Sequence, residues 1–376
     1  MIYLDNAATT QVRPEVLQAA WPWLTTEFGN PSSTHELGLS AKNALQDAHE
    51  RVARSLGGRA SEVIFTSGGT EGDNLAIIGL ALANPRGKHI ISARTEHEAV
   101  LASLDFLERV HGFEISWLPV DTQGQISLDA LRGALRADST LVSLMLANNE
   151  IGTIHPLAAI AAAAHEVGAL VHTDAVQAIG WLPVDVADLG VDALTLSGHK
   201  INGPKGSGAL WLRSGLAVEP LLHGGGQEHE RRSGTENVAW AVALASALEA
   251  LPSSRPTSDL QEQLVSGILA SISNAALTGP DVGARHPGIC SFVFPGINGE
   301  TLLLELEQRG VIVSSGAACA AGKDEPSHVL LATGRDESTS RTAVRFSLAR
   351  ETTTQEIAQA IDATTAAHAT VANLGG

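Results

Sequence analysis

Cysteine is scarce. The 376-residue sequence holds two, too few for a disulfide-stapled scaffold, and any role for sulfur falls to single thiols. Basic residues are also few: 24 Lys and Arg stand against 41 Asp and Glu, a formal net charge of −17, with no basic cluster. Such a surface repels a phosphate backbone, so direct nucleic-acid binding is not expected. No apolar run suits a bilayer either; the most apolar stretch, LAAIAAAAHEVGALV (157–171), carries His165 and Glu166 and reads as a core helix followed by a strand. The opening MIYLDNAATT lacks the basic and apolar regions of a secretion signal, so a soluble, cytoplasmic protein without membrane partners is expected. Walker-type, G-x-G-x-x-G, G-x-S-x-G and H-E-x-x-H signatures are missing. HGGGQEHERR (223–232) has lipase-like glycines and two histidines, yet no nucleophile elbow and no obvious third ligand accompany them. No metal site is expected there.

What is present is alternation. Short β-rich runs recur at EVIFT (62–66), KHIIS (88–92), FEISWL (113–118), TLVSLML (140–146), ALVHT (169–173), DALTLS (192–197) and GALWL (208–212). Segments between them, such as SLDALRGALR (127–136) and PLAAIAAAAHEVG (156–168), show helical spacing. This pattern predicts an α/β layer around a mostly parallel seven-stranded sheet. A long apolar helix near 235–250 then enters LPSSRPTSD (251–259), the clearest linker composition in the chain. Beyond it come a helix (260–273), a strand GICSFVF (288–294), a helix GETLLLELEQRG, a strand VIVSS, a strand TAVRFSL (342–348) and a last helix. The expected organisation is a large domain over 15–250 and a smaller α+β domain formed by 1–14 with 255–376.

Several strands end in polar residues. In open α/β sheets, ligands bind beyond the carboxyl ends of the strands. EVIFT runs into SGGTEGDN, a glycine-rich turn opening a helix, whose free N–H groups and dipole suit a phosphate. ALVHT ends at Asp174, with Gln177 three residues on; DALTLS ends in GHK, placing Lys200 at the same rim; TLVSLML ends in ANNE. A phosphate cradle, a strand-end carboxylate and a strand-end lysine are what pyridoxal 5'-phosphate requires. The lysine can bond the aldehyde, and the carboxylate keeps the pyridine nitrogen protonated. Taken singly, each residue has a plainer reading, Lys200 as a surface charge and Asp174 as a helix cap. The set of complementary groups at separate strand ends does not.

The motifs YLDNAATT, FGNPSSTH, FTSGGTEGDNLAI, TEHEAVL, NNEIGTI, HTDAVQAIG, SGHKINGPKGSGAL, HGGGQEHERRSGT, SSGAACAAG and VRFSLAR run in order from residue 3 to about 350. Together they resemble the cysteine desulfurases, the NifS/IscS-like branch of the class V aminotransferases, which have the type I fold of pyridoxal-phosphate enzymes. The resemblance implies that Lys200 is the Schiff-base lysine, Asp174 the partner of the pyridine nitrogen and Gln177 the group bonding the ring oxygen. It makes His97 the imidazole stacked on the ring. Gly69, Thr70, Ser197 and His199 match the phosphate cradle, and Thr235 matches a phosphate contact lent by the other subunit of a homodimer. Asn149 and Arg345 match the groups that orient the substrate, an arginine fork suiting a carboxylate. Gly72 departs from the family, which usually has Ser or Asn there, and predicts a lost side-chain contact at the phosphate turn. The chain also stops at ATVANLGG, short of the tail that scaffold-binding members carry.

The activity implied is conversion of L-cysteine to L-alanine, with the sulfur passing to Cys319 as a persulfide. Cys319 sits in IVSSGAACAAGKDEPSH (312–328), a run of small residues with no bulky apolar neighbour. A nucleophile that must enter a pocket and then hand its sulfur on suits such a hinge. Cys290, in GICSFVF, reads as a core thiol. The recipient of the sulfur stays open between an iron–sulfur scaffold, a tRNA-thiolation enzyme and a dedicated client protein. Other readings are a selenocysteine lyase, a class V aminotransferase, for which Cys319 would be dispensable, and a cofactor-free sulfur-carrier platform, against which the Lys200–Asp174 pair argues.

Overall fold

The computed structural model describes residues 1–84, 86–252, 259–315 and 326–374. Its strands are β1 (Ile2–Tyr3), β2 (Val63–Thr66), β3 (His89–Ala93), β4 (Glu114–Leu118), β5 (Ser139–Ser143), β6 (Leu170–Asp174), β7 (Ala193–Ser197), β8 (Gly208–Leu212), β9 (Ala276–Leu277), β10 (Ile289–Val293), β11 (Val311–Ile312) and β12 (Ala343–Ser347). A seven-stranded sheet has the order β2-β8-β7-β6-β5-β3-β4. Only β8 runs against its neighbours; the other pairings are parallel. Every residue of β3, β5 and β7 is buried, as strands of a mostly parallel sheet covered on both faces must be, and so is every residue of antiparallel β8.

Two helical layers provide that cover. On one face, helices Pro14–Thr25, Glu36–Leu56, Leu157–Glu166 and Val238–Glu249 share a core with Leu144, Val171, Leu194 and Leu196. On the other, helices Gly69–Ala83 and Glu98–His111 pack on Ile64, Ile90, Leu141 and Leu210. The first two helices of the chain carry signals that the periodicity reading did not use. Proline opens Pro14–Thr25, and Glu36–Leu56 is capped by His35 Nδ1, which accepts the Gly38 N–H at 3.2 Å. Gly57 ends that second helix at φ 76°, the left-handed turn that favours glycine. Strand β5 stops at Ser143, so Leu144–Leu146, expected as strand, instead lead into the turn that holds Asn148 and Asn149.

The C-terminal segment builds a second core. Strands β12-β10-β9 form an antiparallel sheet, and β1 pairs in parallel with β11. Ile2 and Leu4 from the N-terminus join Cys290, Phe292, Phe346 and Ile357 in one buried cluster. The chain therefore begins against its own C-terminal segment. Among the described residues no helix is long and apolar enough to cross a membrane.

Candidate active site

The carboxyl ends of β5, β6 and β7 and the start of helix Gly69–Ala83 converge on a cavity of about 320 Å³. Gly69, Thr70, His97, Asn149, Asp174, Gln177, Ser197, His199, Lys200 and Arg345 all line it. Thr235 lies apart, in a second cavity of about 250 Å³ with Ser67, Arg232 and Trp240. Cys319 falls outside the described residues.

Lys200 closes the short turn Gly198–Lys200 after β7, and its Nζ donates to the carbonyls of Ala7 and Ala8. Asp174, the last residue of β6, is 7 % exposed and accepts the Val176 N–H at 2.8 Å. Burial pushes its carboxyl upward, opposed by the charge of His97, the Val176 hydrogen bond and the charge of Lys200. Gln177 Nε2 donates to Ala7 O at 3.0 Å, tying the same N-terminal turn to the rim. His97 caps helix Glu98–His111: its Nδ1 accepts the Ala99 N–H at 3.1 Å. His199, paired through Nδ1 with the Thr9 hydroxyl at 3.2 Å, is lowered to about 4 by burial and by Lys200, Lys205 and His97. It is a neutral imidazole at pH 7.

Beneath these groups lies a polar layer that sequence reasoning missed. Asp73 and Glu96 are each 1 % exposed. Burial, reinforced by the charge of Asp174, lifts Asp73 well above the usual carboxylate range, and burial does the same to Glu96, whose oxygens accept the Met145 N–H. Of these three carboxyls, only Asp174 has His97 and Lys200 among the charges that pull its pKa down. His172, lowered to about 3 by burial, bridges the Ser143 hydroxyl at 2.9 Å and the Thr195 hydroxyl at 3.0 Å. Thr195 also explains Gly72: a Cβ at Gly72 would stand 2.7 Å from the Thr195 methyl group. The space a side chain there would need is filled from β7. Asn148, beside the expected Asn149, donates to Thr95 O at 2.9 Å and accepts the Glu150 and Ile151 N–H groups. It holds the turn that presents its neighbour.

Arg345, on β12, is 1 % exposed; Nη1 donates to Asn149 O at 2.9 Å and Nη2 to Asp5 Oδ1 at 3.0 Å. Its Nε has no hydrogen-bond partner among the described residues. Segments flanking residues 316–325 are anchored at this rim. Ser314 exchanges backbone hydrogen bonds with Arg345, Ser327 donates to Glu150, and His328 Nε2 donates to Glu96 O at 2.9 Å.

The residues fit pyridoxal phosphate. Ser197 Oγ is buried without a partner among the described residues, the first turn of helix Gly69–Ala83 offers N–H groups that a helix cannot satisfy internally, and Asp174 and Lys200 line the same cavity. The family model of the class-V aminotransferases matches residues 2–360. The chain belongs to that family. Its members are pyridoxal-phosphate enzymes, and this chain shares their cofactor and their fold. Within the class-V aminotransferases it is 44 % identical to the cysteine desulfurase IscS of Dictyoglomus turgidum, over 96 % of this chain and 93 % of that one. It is 46 % identical to IscS of Methanosarcina thermophila, over 96 % and 90 %. A solved NifS-like protein superposes with a TM-score of 0.90 at 36 % identity, covering 97 % of this chain and 98 % of that one. The structure of SspA in complex with cysteine does so at 0.83 and 36 %, covering 93 % and 99 %.

Proposed function

We propose that this protein is a cysteine desulfurase that turns L-cysteine into L-alanine and receives the sulfur on Cys319. The observation that carries the reading is the single cavity in which Lys200, Asp174, Gln177 and His97 meet the buried fork of Arg345. Pyridoxal phosphate would be held by Lys200 at its aldehyde, by Asp174 at its ring nitrogen, and by Gln177 and His97 at the ring. Gly69, Thr70, Ser197 and His199 would hold its phosphate, with Thr235 contributed by a second copy of the chain. When bound, the cofactor supplies an electron sink for the bond changes at the substrate's α- and β-carbons.

The chain's own residues do the rest. Arg345 and Asn149 orient the α-carboxylate, Nε of Arg345 being a buried donor with no partner among the described residues. Asp174 stays ionised opposite the ring nitrogen and holds a proton there. Lys200 Nζ would move the α-proton. The Cys319 thiolate attacks the substrate sulfur: an S–S bond forms, the C–S bond breaks, and its electron pair ends as a C–H bond of alanine. Substrate and thiol go to alanine and persulfide with no external oxidant or reductant. The anchoring of Ser314 beside Arg345 and of Ser327 and His328 beside Glu150 and Glu96 supports a Cys319 segment that starts and ends at this rim. Residues 15–250 form the cofactor domain in this reading, and 1–14 with 255–376 the smaller domain. The enzyme works as a cytoplasmic homodimer and passes its sulfur to an acceptor protein, an iron–sulfur scaffold being one chemical fit.

The test is mass spectrometry after brief exposure to L-cysteine without reductant. One added sulfur on the peptide containing Cys319, together with borohydride-fixed cofactor on Lys200, is expected. A persulfide confined to Cys290, full turnover in Cys319→Ser, or cofactor fixed on Lys205 would overturn the assignment.

A further inference from the structure

The loop that carries Thr235 is closed on itself. Ser233 N donates to Leu222 O at 3.1 Å, Gly234 N to Gln227 Oε1 at 2.9 Å, and Gly226 N to Ser233 Oγ at 3.3 Å. Within it, the consecutive residues Glu228, His229 and Glu230 all have left-handed backbones, at φ 49°, 56° and 66°. Residues with a Cβ rarely adopt that region even singly, so surrounding contacts must hold the run in place.

Two carboxylates supply those contacts. Glu228 is 7 % exposed; its Oε2 faces His49 Nε2 at 3.0 Å and accepts the Phe65 N–H at 3.2 Å. His49 Nδ1 faces Leu45 O at 2.9 Å, so an acceptor lies opposite each ring nitrogen. Nearer the loop's end, Arg232 Nε donates to Glu71 Oε1 at 2.8 Å, while Glu71 Oε2 accepts the Ser67 N–H at 2.8 Å. Both pins therefore end on the strand–turn–helix unit from Val63 to Ala83 that also carries Gly69 and Thr70.

We propose that Glu228 is a positioning residue: it pins the strained loop 222–234 so that Thr235 is already ordered for the phosphate group in the neighbouring subunit's site. This rests on the reading that Thr235 serves the partner's cofactor. Without the pin, the competent arrangement would be populated only part of the time, and apparent cofactor affinity falls by that fraction.

Mixed dimers test it, because a positioning role acts in trans and local damage acts in cis. In a dimer of wild type with a Glu228→Ala, Lys200→Ala double variant, only the wild-type subunit can fix cofactor with borohydride, and its loop comes from the variant. Its cofactor dissociation constant should rise about tenfold. With the two lesions on opposite subunits, the site that can be fixed receives an intact loop and should keep wild-type affinity. Glu228→Gln, which retains an acceptor for the Phe65 N–H, should restore affinity in the first pairing. Weakening that follows the subunit bearing Glu228→Ala, or no weakening at all, overturns the proposal. Thr235→Ala in the same pairings separates the two ideas. If it has no effect in trans, the lent-threonine reading fails; if it acts in trans while Glu228→Ala does not, only the pin fails. Should Glu228→Ala not fold, Arg232→Gln carries the test from a partly exposed site, with about threefold weakening in trans expected and none overturning it.

Discussion

Replacing Arg345 with lysine separates its two tasks. Nη2 of Arg345 pairs with Asp5 at 3.0 Å and Nη1 with Asn149 O at 2.9 Å, so the side chain already ties the N-terminal turn and the asparagine turn to β12. In the proposed reading the substrate carboxylate meets the buried Nε, which has no hydrogen-bond partner among the described residues. Lysine keeps a positive charge near Asp5 but has no fork, so it cannot serve Asp5, Asn149 and a carboxylate together. Loss of one charge-assisted hydrogen bond to the substrate is worth roughly 1.5–3 kcal/mol, a 10- to 150-fold rise in KM for L-cysteine. Because that bond is made in ground and transition states alike, kcat should change little. Alanine production against L-cysteine concentration measures both constants. Competition by cysteamine, which lacks the carboxylate, gives the control: the preference for L-cysteine over cysteamine should shrink by the same factor. Arg345→Ala would additionally strip Asp5 of its partner, costing about 3 kcal/mol and lowering Tm. An unchanged KM and an unchanged cysteamine ratio in Arg345→Lys would refute the carboxylate role.

Gly72→Ser should destabilise the fold by about 1–3 kcal/mol in urea unfolding, because its Cβ would meet the Thr195 methyl at 2.7 Å. Gly72→Ser with Thr195→Ser, which removes that methyl, should recover much of the loss; strict additivity would show that Thr195 is not the obstacle. His155 is 2 % exposed, lowered to about 4 by burial, and neither ring nitrogen has a hydrogen-bond partner among the described residues. Its folded pKa lies below the unfolded value, so its contribution is complete above pH 6.5 and is lost as pH falls towards 4, by about 3 kcal/mol in all. His155→Leu should therefore flatten the acid limb of stability against pH by about one proton, and an identical limb would contradict it. Cys290 is fully buried and its thiol is pushed up to about 11, chiefly by burial. Cys290→Ser should retain turnover and cost about 1–3 kcal/mol of stability, and loss of turnover with intact folding would reopen its role.

The strands and their ends were legible because their signals are local. Seven apolar runs bounded by turns became the seven strands of the large sheet, and Lys200 and Asp174 stood out because a charged residue directly after a buried strand has few places to go. What the same motifs concealed is set by groups that face them from elsewhere. Asp73 sits inside the glycine-rich turn segment quoted for phosphate binding, yet its burial against Asp174, Glu96 and Thr195 comes from β6, the loop after β3, and β7. Nothing near Gly72 in the sequence shows that the Thr195 methyl, more than a hundred residues on, occupies the space a side chain there would need. Asn148 and Asn149 are chemically identical neighbours; hydrogen bonds to Thr95, Glu150 and Ile151 single out the first as the brace, leaving the second to line the cavity. The helices Pro14–Thr25 and Glu36–Leu56 went unassigned although their proline start and glycine stop were in plain sight, since neither follows the strand–helix alternation that organised the rest. A strand end can be located from period and composition. How two carboxyls there differ depends on burial and on the groups opposite, and here His97 and Lys200 arrive from two other segments to pull Asp174 down, while Asp174 itself pushes Asp73 up.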